Sequence, residues 1–158
     1  MKNKCEFKKN SFSCFEKRER GLVNPVRIVK RWLRNIKHAY QRIKYGYCER
    51  DVWDIDRWFL NVMPNMLQEL RETAHGFPFE VSKMVGYDDR NPNPEKDREA
   101  KDKWDSILGE MEFYLREANG ETCREKNQEE EELRYSYRNE CKDKGLKLFG
   151  EWFWDLWD

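Results

Sequence analysis

Apolar residues recur every three or four positions through most of the chain, the period of amphipathic helices. Asn24-Pro25 opens the first stretch, with Asn placed as a cap and Pro at the first helical position. Val29, Trp32, Leu33, Ile36, Tyr40, Ile43 and Tyr47 then share one face, and Lys30, Arg31, Arg34, Lys37, Arg42 and Lys44 the other. This helix is expected to end near Gly46 and to turn its apolar stripe, with most of its rings, into a core.

A second helix is expected to begin near Asp51, where Asp51 and Asp54 suit the positive end of the helix dipole. Its stripe is Ile55, Trp58, Phe59, Val62, Met63, Met66, Leu67 and Leu70. Pro64 removes one backbone hydrogen bond and should kink it. His75-Gly76-Phe77-Pro78 ends it, with Gly76 expected in the left-handed conformation. Residues 79–99, with Gly86 and Asn91-Pro92-Asn93-Pro94, read as a long connection holding at most a short turn at Val81–Val85. Trp104, Ile107, Leu108, Met111, Leu115 and Ala118 mark a third helix, closed by Asn119-Gly120.

A fourth helical segment spans about Glu121 to Trp157. It opens on the acidic run Glu129–Glu132 and ends in Leu146, Phe149, Trp152, Phe153, Leu156 and Trp157. Gly145 and Gly150 each lower helix propensity by about 1 kcal/mol relative to Ala, which allows a break or bend there. No stretch alternates with the period of a strand. The expected fold is all-α: about four helices in a bundle-like packing, a single helical domain over 24–158 behind an irregular basic arm at 1–23.

Composition changes this picture in two ways. Charged residues make up 39% of the 158 positions, but seven Trp and an aromatic fraction of 15% supply a core. The net charge is zero, yet residues 1–50 hold 15 Lys/Arg against 4 Asp/Glu and the remainder is equally acidic. That asymmetry suits either internal pairing or an anionic partner. Cys5, Cys14, Cys48, Cys123 and Cys141 are odd in number and lack Cys-x-x-Cys spacing, so reduced thiols in a cytoplasm are expected, without a zinc site. No apolar run approaches the ~20 residues of a membrane span, and no membrane partner is expected. The charged start of the chain does not read as a signal peptide.

Catalytic signatures are lacking: no phosphate-binding loop, dinucleotide fingerprint, HExxH or GxSxG occurs. Asp51, Asp54 and Asp56 form a dense cluster, read as helix capping with an internal salt bridge to the basic first helix, or as a metal or cationic-ligand site. Asp56 lies nearest the apolar face, and if buried would need Arg31 or Arg34 as partner. His75 at a helix end suits the helix dipole or a ligand contact; His38 has less to recommend it. Arg31, Arg34, Tyr47, Asp56 and His75 together are the candidate pocket for a nucleotide-like ligand. Glu69-x-x-Glu72 and Glu140-x-x-Asp143 could, as paired acids, hold Mg²⁺ in a nucleotide hydrolase. The basic face of the first helix, interleaved with Trp32, Tyr40, Tyr45 and Tyr47, is a candidate binding surface, with nucleic acid a less favoured occupant.

Two stretches carry a resemblance. Residues 31–78 contain Asp51-Val52-Trp53-Asp54-Ile55-Asp56 and His75-Gly76-Phe77-Pro78; Trp104 follows, and the chain closes on Leu156-Trp157-Asp158. These elements resemble a group of small tailed-phage and prophage proteins that share a D-x-W-x-x-D helix, an H-G-x-P turn and a terminal aromatic-LWD. The resemblance implies a setting, the cytoplasm of an infected bacterium, and supplies no activity to transfer. The expectation is a non-enzymatic phage accessory protein that binds a host component and inhibits antiviral defence, with no cofactor and no metal. Its alternatives are sequestration of a nucleotide-derived immune signal and a metal-dependent nucleotide hydrolase. The expected partner is a host protein or a small nucleotide-like ligand, with a homo-oligomer through the C-terminal aromatic helix left open.

Overall fold

The computed structural model describes residues 25–120, 122–123 and 131–157. The arm at 1–23, the cap Asn24 and the start of the acidic run lie outside these residues. Among those described the protein is all-helical, with five α-helices rather than four: α1 Pro25–Tyr45, α2 Ile55–Thr73, α3 Phe79–Val85, α4 Pro94–Ala118 and α5 Glu131–Glu151. Short 3₁₀ turns cover Asp51–Asp54 and Phe153–Asp155.

The extra helix, α3, comes from the stretch that reads as a connection. The helical turn expected at Val81–Val85 starts two residues earlier, after Pro78, and Gly86 closes it at φ 68°. Gly86 and Gly46 are the described residues with positive φ, so Gly76 does not take the left-handed role expected of it. The connection is shortened from its other end too. Asn93 caps α4, its side chain accepting from the Glu95 amide at 2.9 Å, and Pro94 is the first helical residue. That is the same Asn-Pro start signal that opens α1.

The chain forms two compact units that divide within α2. The first unit holds, among the described residues, α1, the loop after it and the start of α2 to Phe59. The second holds residues 60–157 and has its core on α4, which packs against α3 and α5. Trp104, Ile107, Leu108, Met111, Leu115 and Ala118 are all buried, as their spacing predicts. Val81 of α3, Leu67 and Pro64 of α2, Cys141 of α5 and Trp152 complete this core. The Trp104 and Trp152 rings lie 5.3 Å apart at a tilt. Of the remaining C-terminal aromatic stripe, Phe153, Trp154 and Trp157 are exposed, because α5 stops at Glu151 and the chain turns in a 3₁₀ geometry.

Two backbone constraints shape this second unit. Pro64 has no N–H, so the Leu60 carbonyl loses its helical donor. The buried Asn119 side chain, from the end of α4, donates to that carbonyl at 3.2 Å, and α2 continues through the proline. Arg116 reaches the same part of α2, donating to Asn65 Oδ1 at 3.2 Å and Gln68 Oε1 at 3.0 Å. Gly145 is the second constraint. Rather than breaking α5, it lets α5 close on α4: a Cβ there would stand 2.9 Å from Leu115 Cδ2 and 3.3 Å from the Leu115 backbone nitrogen. Gly150 has no neighbour within 4 Å of such a Cβ.

The two glycines should therefore respond oppositely to alanine. Gly145→Ala is expected to lower stability by about 1–3 kcal/mol, the usual cost of overpacking, despite its better helix propensity. Gly150→Ala is expected to raise it by about 0.5–1 kcal/mol. Urea denaturation of both variants checks this, and equal effects would contradict the close approach at Gly145.

Candidate functional site

The 21 residues of α1 contain seven Lys/Arg and no Asp/Glu. At 100° per residue, Ile28, Val29, Trp32, Leu33, Ile36, Ala39, Tyr40 and Ile43 fall in an apolar arc of about 140°. The cations and His38 fill the rest. The helix is set in its own unit opposite to expectation: its polar side is covered at His38, Gln41 and Arg42, and its apolar side is open.

The covering is done by the loop that follows Gly46. Asp51 is buried, 3% exposed, and takes two hydrogen bonds from the Arg42 guanidinium, the Nε one at 2.9 Å. Its carboxylate also accepts from the Cys48 amide at 2.8 Å, while its own amide donates to the Cys48 carbonyl at 2.9 Å. Burial alone would push the Asp51 carboxyl up, but the hydrogen bonds from Arg42 and Cys48 outweigh it and hold the group below the usual carboxylate range. Glu49 adds a second anchor. Its side chain meets Lys37 Nζ at 2.7 Å and His38 Nε2 at 3.3 Å, and its amide donates to Gln41 Oε1 at 3.2 Å. Lys37, His38, Gln41 and Arg42 all lie on the polar side of α1, so two loop carboxylates clasp that side. His38 is 4% exposed, and its Nδ1 has no hydrogen-bond partner.

With its polar side clasped, α1 presents Trp32 (65% exposed), Ile36 (54%) and Ile43 (85%) outward, with Val29, Leu33 and Tyr40 also exposed. A groove of 610 Å³ runs along this face, lined among the described residues by Trp32, Asn35, Ile36, Ala39, Tyr40 and Ile43. Burying a large apolar side chain is worth roughly 1.5–3 kcal/mol. A contiguous stripe of this kind is a reserve of binding free energy, and such patches mark interaction surfaces. Trp32, Tyr40, Tyr45 and Tyr47 are thus exposed, not the core rings expected from their period.

The residues singled out from sequence are placed as follows. Arg31 and Arg34 sit on α1, Arg31 half-buried and Arg34 exposed; Tyr47 and Asp56 are exposed in the same unit. His75 is exposed and belongs to the second unit. Asp56 is therefore not the buried acid: that role falls to Asp51, and its partner is Arg42 rather than Arg31 or Arg34. The expected salt bridge from the acidic cluster to the first helix is made by Asp51 with Arg42, while His38 is the residue whose importance the sequence conceals. A signal exists in retrospect, since an Asp three residues after a turn amide can cap it and His38 and Arg42 share one helix face.

Three of the four paired acids are met by neighbouring cations or amides. Gln68 donates to Glu72 at 2.7 Å, Lys144 to Glu140 at 2.6 Å, and Lys142 lies 3.1 Å from Asp143. Among the described residues no three His, Cys, Asp or Glu are grouped so as to hold a metal ion. In the second unit, the Tyr137 hydroxyl donates to the buried Glu117 carboxylate at 2.9 Å, and burial with that carboxylate drives its ionisation far upward.

No family model, no curated protein and no solved structure matches the chain. What the site can do is therefore read from its own geometry.

The clasp makes a pH-dependent prediction. A carboxylate whose pKa is lowered by folding contributes stability that is present above its unfolded value and lost as pH falls through its folded value. Stability should decline as pH drops below the ordinary Asp range near ~4, and Asp51→Asn should flatten that decline. The same substitution should cost about 2 kcal/mol at neutral pH, the scale of a charged hydrogen bond. Thermal melts of both proteins across acidic pH check this, and identical profiles would contradict the clasp.

Proposed function

We propose that this chain is a non-enzymatic accessory protein of tailed phages that binds a host component in the bacterial cytoplasm and thereby blunts antiviral defence. The observation that carries the binding reading is the outward apolar face of α1, held open by the Asp51 and Glu49 clasp on the opposite side. A protein whose helix faced inward would have spent that surface on its own core. The phage setting is supported by the resemblance of the D-x-W-x-x-D, H-G-x-P and aromatic-LWD elements. The binding reading is favoured over hydrolysis because three of the four paired acids, Glu72, Glu140 and Asp143, are engaged by Gln68, Lys144 and Lys142.

The test is expression of the protein in a bacterium that carries antiviral defence systems, followed by phage plating. Plating efficiency should rise, and the double substitution Trp32→Ser with Ile36→Asp should remove the gain. Losing two large apolar contacts weakens binding by about tenfold or more. Full activity in the double variant, or activity abolished only by substitutions in Glu69, Glu72, Glu140 or Asp143, would overturn the proposal.

A further inference from the structure

The character of the open face limits what can cover it. The centre of the face is apolar, with Trp32 and Ile36 exposed along it, and its margins are cationic. Lys44 shows how the margin is built: its ammonium lies 5.8 Å from the Tyr40 ring centroid and 5.2 Å from that of Tyr45. The ammonium itself lies over these rings, a cation–π contact that keeps a positive charge beside the apolar surface. The helix is about 30 Å long, carries seven Lys/Arg and holds no acid anywhere along it.

We infer that α1 adsorbs to an anionic phospholipid surface, lying in the headgroup plane with the apolar face inserted and the exposed cations Arg27, Lys30 and Lys44 against lipid phosphates. This rests on reading the open face as the docking surface. An interfacial helix requires two sharply separated sides, one rich in Lys and Arg and the other aromatic and aliphatic, and α1 has both. Other occupants fit less well. A nucleic acid needs cations at the centre of the surface, whereas here the centre is apolar and Lys37 and Arg42 are already paired with Glu49 and Asp51. A second copy would set two all-cationic helices against each other. A polar rim is common to protein interfaces, so the choice of a phospholipid surface rests on α1 carrying seven Lys/Arg and no acid. No described helix is long and apolar enough to cross a membrane. A lipid partner departs from the sequence expectation of no membrane partner, which rests on the lack of a spanning run; a helix that lies on the surface needs no such run.

The probe is co-sedimentation of the full chain with vesicles of phosphatidylcholine and phosphatidylglycerol in equal parts, against pure phosphatidylcholine. Binding is expected to the anionic vesicles only, and to weaken as salt rises. Trp32→Ser with Ile36→Asp should weaken it by about tenfold or more. Lys30→Glu should weaken it by at least about fivefold, the contribution of one cation near such a surface. Trp154→Ser, which alters a still more exposed ring in the second unit, should bind as the unaltered chain does. Circular dichroism should show unchanged helicity in each variant, since every altered side chain is solvent-facing. Absence of binding to anionic vesicles at low salt, or full binding by the double variant, would overturn the inference. So would a dimer or an oligonucleotide complex that depends on Trp32 and Ile36 while vesicle binding does not. A plating effect that needs the α1 face without vesicle binding sinks the lipid partner alone. Vesicle binding without any plating effect sinks the defence role alone.

Discussion

The pair of hydrogen bonds from Arg42 to the buried Asp51 carboxylate sets the character of the first unit. An isolated carboxylate is costly to bury, and a guanidinium with two aligned donors is among the few partners that offset the loss of water. Once Asp51 is fixed against α1, the loop from Gly46 has one place to lie, over His38, Gln41 and Arg42. Glu49 then meets Lys37 and His38 as a consequence. The apolar face is on the far side because a helix has only two sides to offer. Burial of a carboxylate and exposure of a tryptophan are thus one arrangement seen from two directions.

The second unit is organised by backbone accommodations instead. Pro64 frees a carbonyl and Asn119 takes it, so the end of α4 is tied to the middle of α2. Gly145 brings α5 close to the Leu115 backbone. Residues that break helices by propensity here join helices by packing, since tertiary contact outweighs a cost of about 1 kcal/mol per glycine. Arg138 closes the remaining gap by donating to the Ala118 carbonyl at 2.9 Å, one of the orphan acceptors at the end of α4.

Much of the fold is legible in the sequence, and the departures have physical causes. The α4 stripe from Trp104 to Ala118 can be read directly because it is buried along one whole face. The α1 stripe has the same period and the opposite fate: amphipathicity reports that a helix has an apolar side, not what that side meets. Asn93-Pro94 reads as loop because two Asn-Pro pairs in succession look like a linker, although the second is a cap. Asp56 reads as the buried acid because apolar residues flank it, whereas Asp51 is buried by a contact with Arg42 nine positions away. The candidate site is legible as a helix with two faces. Which face is open is not, because that depends on a loop hydrogen bond with no sequence motif.

The most direct measurement of that orientation is cysteine labelling followed residue by residue with mass spectrometry. Ile36→Cys places a thiol on the apolar face of α1, and His38→Cys places one on the clasped side. Ile36→Cys should react with a water-soluble maleimide at the rate of an exposed thiol, and His38→Cys should be protected as the buried Cys48 is. Protection at position 36 with rapid labelling at position 38 would mean that α1 buries its apolar face, and the account of an open docking helix would fail.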